Sequence, residues 1–359
     1  RKRFGLGILK VSLFLIFFYM AIFLIAEVTA IAFLLNYISQ APLWLTSAIT
    51  LIICLLYILK GGFKLSIITD KYQFIFIILI ILLSIFLILG NIEVPSFELI
   101  KKNSPQLVNK NYLPNYTAGL TFFIAVAATN LFHQGNWQRV YAAKNNKVLT
   151  NSLIISFIII IPIVFFMGFS GLVASSQDST IIPDLAFFSL LFKEQALMLS
   201  IIVIILAISL TVSSIDTLIN AISSLIIIDG NKVIKFKGDY LKLSKQIIII
   251  LSLISFYVAS KGLSILYLFL LADLFCCAAV LSIFYSFYSK SFNEKKAYVS
   301  IIIGLIGGIL LFPSPDFSKS LLVGIILPAQ LFPAFISQSL LFCSFIVATF
   351  LPIISWRIK

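Results

Sequence analysis

The sequence contains few charged residues. Only 11% of its 359 residues are Asp, Glu, Lys or Arg, whereas soluble domains have about a quarter. Hydrophobic residues make up 61% of the chain, which excludes an ordinary soluble protein. The 35 phenylalanines and the long Ile/Leu runs also exclude an intrinsically disordered chain. This composition indicates an all-α, polytopic membrane protein.

Histidine and cysteine are scarce, and their positions do not suggest enzymatic chemistry. His133 is the only histidine and has no Asp or Glu near it in the sequence, so no nucleophile and base pair is visible. The four cysteines lie in apolar runs and lack the spacing of a metal site. The sequence also lacks a glycine-rich phosphate loop between a strand and a helix. We therefore expect neither an enzyme nor a bound cofactor.

Ten apolar segments are candidates for membrane spans, each of which needs about 20 predominantly apolar residues. Their continuous apolarity lacks the alternation of a transmembrane β-barrel, so it predicts helices. The segments are 8–35, 43–59, 74–90, 117–135, 149–173, 196–228, 246–260, 263–286, 297–312 and 330–350.

The positive charges predict the orientation of these spans. Most of the 26 Lys and Arg residues fall in the N-terminal segment and in every second connection, which predicts a cytoplasmic location for that side. Both termini of this chain are then cytoplasmic, and the long connection 91–116 lies on the opposite, outer side of the cell membrane. Because the basic residues are scattered and form no single face, we do not expect nucleic acid as a partner.

Three acidic residues, Glu27, Asp216 and Asp273, lie within the predicted spans. A charge in the bilayer interior costs at least about 2.5 kcal/mol on insertion scales. Such acids are either neutral, hydrogen-bonded structural groups or ligands for a cation or proton. The sequence alone leaves both interpretations open.

The sixth span carries one polar stripe. Its members fall within about 100° of arc on a helix of 3.6 residues per turn. Small hydroxyl residues in a stripe are typical of a close helix–helix contact. They also suit a cavity face whose oxygen atoms bind a hard cation such as Na⁺. The stripe consists of Ser209, Ser213, Asp216, Thr217, Asn220 and Ser224.

The fourth span ends in a polar stretch from Thr129 to Arg139. Gly135 within this stretch predicts a broken helix, which membrane proteins tolerate where it lines a cavity or is covered by protein. Discontinuous helices are typical of transporter binding sites. For His133, a hydrogen-bonded structural role and a proton-carrying role both stay open.

Three motifs together resemble the sodium:solute symporter family. The first is Tyr57-x₃-Gly61-Gly62-x₆-Thr69-Asp70-x₂-Gln73, which is similar to a cytoplasmic link of that family. The second is the run HQGNWQRVYAAK at 133–144, which resembles the end of the family's sixth core helix. The third is Ser213-Ser214 followed by Asp229, which resembles the eighth core helix.

The resemblance implies an inverted-repeat (LeuT-like) sodium symporter fold in a single domain, 1–359. In register with the family, the chain begins at about the third core helix, so the fold is incomplete at the N-terminus and lacks the first broken helix. The implied organisation is the remainder of the first repeat at 1–90, the second repeat at 117–286 and two trailing helices at 297–350.

The resemblance also implies roles for individual residues. Ser213 and Ser214 are the expected sodium ligands, and Asp70 matches an acidic position used in cation coupling, although an ordinary loop acid is the alternative there. Asp216 and Asp273 add negative potential around the site. This negative potential favours a small polar or amine-bearing solute over an anion, and the absence of the aromatic pair expected of sugar-transporting members argues against a sugar. The expected solute contacts are Thr129, Asn130, His133, Gln134 and Asp273.

The resulting hypothesis is secondary active transport, in which Na⁺ and a small polar solute cross the bilayer together by alternating access. Two alternatives stay open. One is a proton-coupled transporter of the same fold that uses Glu27, Asp216 or Asp273. The other is a sensor or scaffold that binds a solute without transporting it.

Overall fold

A computed structural model describes most of the chain. The described residues are 4–91, 96–178, 180–191, 197–233, 236–285, 287–289, 292–326 and 334–356. Within the helices, the side chains outside this description are those of residues 57–66, 69, 76, 80, 83–84, 87–91, 96, 197–199, 325–326, 334 and 355. The Tyr57, Gly61, Gly62 and Thr69 positions of the first motif are among them.

The described chain is almost entirely helical, and its long helices follow the apolar runs. The helices of the first half are α1 (Leu6–Ser39), α2 (Leu43–Asn91), α3 (Ser96–Asn103), α4 (Pro105–Val108), α5 (Leu113–Asn130), α6 (Gln134–Ala142) and α7 (Asn146–Gln177). Those of the second half are α8 (Ala186–Leu191), α9 (Leu197–Ser224), α10 (Tyr240–Ser260), α11 (Ile265–Tyr285), α12 (Glu294–Leu311), α13 (Val323–Ile326), α14 (Ala334–Gln338) and α15 (Leu340–Ser355). A π-helical turn, Leu225–Asp229, follows α9 directly.

Five helical segments in the described part of the chain are long and apolar enough to cross a membrane. Two shorter apolar helices, Leu43–Leu56 and Leu340–Ile354, accompany them. These segments indicate a multi-pass membrane protein, while the ten separate spans stay a prediction. The five segments are Leu6–Ser39, Asn146–Gln177, Ser200–Lys232, Tyr240–Ser260 and Ile265–Tyr285.

The structure differs from the prediction for the second and third spans, 43–59 and 74–90, which lie on the single helix α2. The predicted boundary rested on the polar residues between the two apolar runs. Polar side chains do not break a helix, and the sequence from Leu43 to Asn91 contains no proline. Each glycine within it costs only about 1 kcal/mol relative to alanine. The backbone is therefore helical throughout.

Two further segments differ from the sequence-based expectation. The connection 91–116 contains the short helices α3 and α4, and Asn103 anchors it by donating a hydrogen bond to the Ser176 carbonyl at 2.6 Å. The last span was predicted at 330–350, but α15 begins at Leu340, and residues 327–333 lie outside the described part of the chain.

The predicted interruption near Gly135 lies between α5 and α6. The Leu131 and Phe132 amides donate to the Ala128 and Thr129 carbonyls, which tightens the last turn of α5. His133 then caps α6, because its Nδ1 accepts a hydrogen bond from the Asn136 amide at 3.2 Å. The polar stretch thus closes one helix and starts the next.

The main core forms where α1 packs against α9 and α11. Met20 and Ala26 of α1 have no exposed surface, nor do Ala272 and Leu274 of α11. Alanine and other small residues let helix backbones approach closely in membranes. This packing places the middle of α1 and α11 beside the end of α5, where the predicted solute contacts lie.

Candidate functional site

Asp70 of α2 is the centre of a polar cluster that joins three helices. Its Oδ2 accepts a hydrogen bond from Arg139 Nη2 of α6 at 2.6 Å, and its Oδ1 accepts one from Ser213 Oγ of α9 at 2.7 Å. Arg139 Nη2 also donates to Thr217 Oγ1 at 2.9 Å. We call Asp70, Arg139, Ser213 and Thr217 the Asp70 region. It brings together one residue or more from each of the three motifs.

The polar stripe of α9 explains why the cluster forms there. Thr217 lies four residues after Ser213, and Ser224 lies seven residues after Thr217. The three side chains therefore share one face of the helix. That face meets α2 through Ser213 and α6 through Thr217, while Ser224 accepts a hydrogen bond from Gln138 Nε2 at 2.6 Å. In this part of the stripe, polar side chains of neighbouring helices occupy the face.

Gly135 permits the close approach of α6 to α9. A β-carbon at this position would lie 2.6 Å from Thr217 Cγ2 and 2.9 Å from His133 Cε1, closer than real β-carbons come to other atoms. Glycine is therefore required for the backbone of α6 to come this close. The approach in turn brings Arg139, one helical turn later, within reach of Asp70.

Ser213 and Ser214 face different partners, although the sequence placed both at one sodium site. Consecutive helical residues point about 100° apart. Ser213 donates to Asp70, whereas Ser214 lies near Glu27 of α1. Asp216 is fully buried and lies beside Thr217, whose Oγ1 is 3.4 Å from its Oδ1. The α9 hydroxyls therefore meet two separate carboxylates.

A second polar region surrounds Asp273 of α11, which is only 8% exposed. A cavity of about 400 Å³ lies between α1, α5 and α11, and Thr129, Asn130, His133 and Asp273 all line it. We call it the solute cavity. Thr129 lines the cavity with Asp273 and Tyr19 of α1, and its Oγ1 donates a hydrogen bond to the Ala125 carbonyl at 2.8 Å. Among the described residues, no Lys, Arg or His forms an ion pair with Asp273.

Aromatic rings form one wall of the solute cavity. His133 meets Tyr19 and Phe23 edge to face, with ring centroids 5.9 and 6.0 Å apart. Phe23 packs in turn on Phe269 of α11 at 4.4 Å. Tyr19 and Phe23 of α1 thus place two aromatic rings at this cavity. Sequence reasoning missed them because nothing distinguishes Tyr19 and Phe23 within an apolar run.

Two of the predicted solute contacts, Asn130 and Gln134, differ from the others in their surroundings. Asn130 lines the solute cavity, but its Oδ1 accepts a hydrogen bond from Asn136 Nδ2 at 2.9 Å. Gln134 does not line that cavity. It lines a larger one of about 1,020 Å³, together with Trp137 and Ser224. His133 and Gln134 are consecutive residues but line different cavities, which separates Gln134 from the other four predicted contacts.

Arg139, Thr217 and Glu27 lie beside predicted site residues. The sequence assigned no site role to Arg139, considered Thr217 only as a member of the stripe, and considered Glu27 only for proton coupling. Arg139 stood within the second motif and Thr217 within the polar stripe. Their hydrogen bonds to one another and to Asp70 required the spatial arrangement of α2, α6 and α9. For Glu27, the signal was its position as an acid inside a predicted span.

Acidic residues in the connections serve the local backbone. Asp184 accepts a hydrogen bond from the Ile265 amide at 3.3 Å and so caps the start of α11, and partial burial raises the pKa of its carboxyl group. Asp178 and Asp316 accept hydrogen bonds from nearby hydroxyls and amides, which lower their pKa values, that of Asp316 to about 2. Asp184 thereby helps position the helix that carries Asp273.

Comparison with known proteins relates the chain to membrane transporters. No model of a known protein family matches it. The spermidine transporter DUR31 of Candida albicans is 24% identical over 296 residues, which cover 80% of this chain and 55% of that protein. The chain thus spans about half the length of this curated relative.

A solved structure shares the fold. It is a Na⁺-coupled sialic acid symporter in a substrate-bound, outward-open state, described as revealing a novel Na⁺ site. It superposes with a TM-score of 0.66 at 17% identity, covering 98% of this chain and 75% of that one. At this identity the likeness shows the fold alone. It supports the expected transporter architecture and leaves the residue roles as predictions.

Proposed function

We propose that this chain forms part of a secondary active transporter that moves a small, amine-bearing cation together with Na⁺. The observation that carries the proposal is Asp273, a carboxylate that is almost fully buried in the wall of the solute cavity. Among the described residues it forms no ion pair with a basic side chain. A buried carboxylate is costly unless it is paired or neutralised. A cationic solute supplies the missing charge when it binds.

The shape and lining of the solute cavity suit an ammonium group. A primary amine next to Asp273 forms a charge-assisted hydrogen bond, which is stronger than a neutral one. The faces of Tyr19 and Phe23 attract the same positive charge at a distance of about 6 Å or less. The relation to a spermidine transporter supports this solute class, so spermidine is the first probe.

The proposed sodium ligands are on α9, where Ser213 and Ser214 face different partners. Hydroxyl and carboxylate oxygens are suitable ligands for a hard cation. Ser213 with Asp70, and Ser214 with Glu27, each supply such oxygens. In the first pair, Na⁺ binding requires the Arg139 guanidinium to move away from Asp70. Na⁺ entry and solute entry then promote the same conformational change, which is the basis of alternating access.

The finer features of the sequence hypothesis belong to this proposal. They are membership of the sodium:solute symporter family, the inverted-repeat fold, location in the cell membrane and cytoplasmic termini. The fold likeness to a Na⁺-coupled symporter and the relation to a transporter support the first two, and the distribution of Lys and Arg residues is the basis for the orientation. His133 serves as the cap of α6 in this mechanism, and no covalent step is required.

Uptake by the purified full-length protein that contains this chain tests the proposal. Sealed proteoliposomes receive radiolabelled spermidine with either an inward Na⁺ gradient or an equal K⁺ gradient. We expect accumulation above the external concentration only with Na⁺, and its loss in Ser214→Ala. Equal uptake in Na⁺ and K⁺ contradicts the proposed coupling, and binding without any uptake favours the sensor alternative.

Proton coupling is the second candidate, because Glu27 is an acid within a membrane helix and lies near Ser214. The same vesicles distinguish it when a pH gradient replaces the Na⁺ gradient. If protons drive the transport, uptake follows the pH gradient in K⁺ medium and is lost in Glu27→Gln. Uptake that follows Na⁺ at constant pH excludes this candidate.

A further inference from the structure

An apolar groove outside both polar regions lies between the start of α1, the end of α9 and the start of α10. Its volume is about 290 Å³. It is separate from the solute cavity and shares no lining residue with it. The groove is lined by Lys10, Leu13, Phe14, Phe17, Leu225, Ile226, Gly230, Val233, Tyr240, Leu243 and Ile247.

Lys10 and the apolar residues of α1 lie on one helix face. Leu13, Phe14 and Phe17 follow Lys10 by three, four and seven residues. All four side chains therefore point in the same direction. Phe14 is 58% exposed, which leaves a large apolar side chain open to the surroundings of the protein. In a membrane protein, a surface of this kind contacts lipid chains.

Among the described residues, Lys10 is the one charged residue that lines the groove. Lys10 is exposed, and no acidic residue lines the groove. The ion pairs found among the described residues are Arg139 with Asp70 and Lys232 with Asp229, so neither involves Lys10. A long apolar channel that ends at an ammonium group matches a lipid with an acyl chain and a negatively charged headgroup.

We propose that this groove binds an anionic phospholipid, with one acyl chain along Leu13, Phe14 and Phe17 and the headgroup phosphate at Lys10. The site requires no new conformation, because the groove is already open. Lys10 lies on the side of the protein that the basic residues predict to be cytoplasmic, and that leaflet carries the anionic lipids. A lysine near such a surface favours an anionic lipid over a zwitterionic one by about fivefold.

Gly230 offers a way to close the groove without altering its charge. A β-carbon there would meet only the Leu225 carbonyl oxygen, at an ordinary 3.6 Å. The residue has helical backbone angles, φ −57° and ψ −39°, so a larger side chain is tolerated. Gly230→Leu is therefore expected to fill part of the groove and leave the fold intact.

Native mass spectrometry of the purified full-length protein tests the proposal. The protein is titrated with phosphatidylglycerol or with phosphatidylcholine of the same acyl chains. We expect about fivefold tighter binding of the first phosphatidylglycerol, the preference that one lysine provides. Lys10→Ala is expected to remove this preference. Lys242→Ala is the matched control, because Lys242 is also exposed but does not line the groove.

Gly230→Leu is expected to weaken the binding of both lipids, because it occupies the path of the acyl chain. Equal affinity of the wild-type protein for the two lipids overturns the proposal. Equal losses in Lys10→Ala and Lys242→Ala also overturn it, because they indicate general attraction to basic residues. Unchanged lipid binding in Gly230→Leu would show that the lipid lies elsewhere. A melting temperature within error of the wild type confirms that each variant is folded.

Discussion

Asp70 and Asp273 are two carboxylates in opposite electrostatic settings. Asp70 is 23% exposed and already holds a guanidinium at 2.6 Å and a serine hydroxyl at 2.7 Å. Asp273 is 8% exposed and forms no ion pair with any described Lys, Arg or His. One region has its own cation, and the other has an adjoining cavity of about 400 Å³ for an external one.

This difference suggests a division of roles between the two regions. A carboxylate that is neutralised by an arginine binds another cation only when the arginine leaves, so it is suited to a switch. A carboxylate beside an open cavity binds a cation without displacing one, so it is suited to recognition. We therefore propose that the Asp273 region selects the solute and that the Asp70 region undergoes a cation-dependent rearrangement.

Removing the charge of Asp273 is expected to have the largest effect. Truncating one member of a buried, hydrogen-bonded charge pair costs about 2–5 kcal/mol. Asp273→Asn should therefore lower the uptake efficiency for spermidine by about 30-fold or more, measured as initial rates over a concentration series. Asp316→Asn, in an exposed loop, is the control with the same chemical change. Unaltered spermidine uptake in Asp273→Asn would remove the basis for the proposed solute class.

Adding a methyl group at Gly135 tests how tightly the Asp70 region is packed. The new β-carbon overlaps Thr217 and His133, and overpacking of this kind costs about 1–3 kcal/mol. We expect Gly135→Ala to lower the melting temperature in detergent. Gly119→Ala is the matched control on α5, because nothing lies within 4 Å of its added β-carbon. Equal melting temperatures for the two variants would show that α6 and α9 are less closely packed than described.

Neutralising Arg139 removes the cation beside Asp70, so that Asp70, like Asp273, has no basic partner. The pair is partly exposed, at 41% and 23%, so its loss is worth no more than about 1 kcal/mol. Arg139→Gln should lower the Na⁺ concentration for half-maximal uptake by up to about fivefold, because Asp70 no longer has a competing cation. Arg139→Lys keeps the charge and should restore the wild-type Na⁺ dependence. A higher Na⁺ requirement in Arg139→Gln would show that the arginine supports cation binding.

The smallest expected effect concerns Asp316, which stabilises its own loop. Hydrogen bonds from Ser314 and Ser318 lower its pKa from 3.8 to about 2, so the folded loop favours the ionised form. This stabilisation is present above the ordinary pKa of 3.8 and is lost as the pH falls towards 2. Hydrogen exchange of the peptide containing Ser318 should be faster in Asp316→Asn than in wild type at pH 6, with a smaller difference near pH 3. A constant difference between these pH values contradicts the assignment.

The sequence predicted the helices well but not the connections between them. Apolar runs identify helices because burial in lipid requires them, so α1, α7 and α11 lie close to their predicted ranges. The continuity of α2 was missed because the polar residues between its apolar halves were interpreted as a loop. Helix continuity depends on backbone propensity and tertiary packing, and polarity alone does not decide it.

The candidate site could be predicted only in part, for a similar reason. The acids and hydroxyls could be identified as candidates because polar and charged groups cost free energy in the bilayer interior. Four of the five predicted solute contacts line one cavity. Tyr19 and Phe23 are ordinary residues of an apolar helix, so only their position beside His133 gives them significance. Ser213 and Ser214 are neighbours in the sequence, yet the helical turn between them sends them to different carboxylates.

Equilibrium binding of both cations to paired variants tests the division of roles most directly. Purified full-length wild type, Asp273→Asn and Asp70→Asn are each titrated with spermidine and, separately, with radioactive ²²Na⁺. We predict that Asp273→Asn loses spermidine binding and keeps Na⁺ binding, whereas Asp70→Asn binds Na⁺ more weakly and keeps spermidine binding in the absence of Na⁺. If both variants lose the same ligand, or if Asp273→Asn still binds spermidine with wild-type affinity, the assignment of the two regions is wrong.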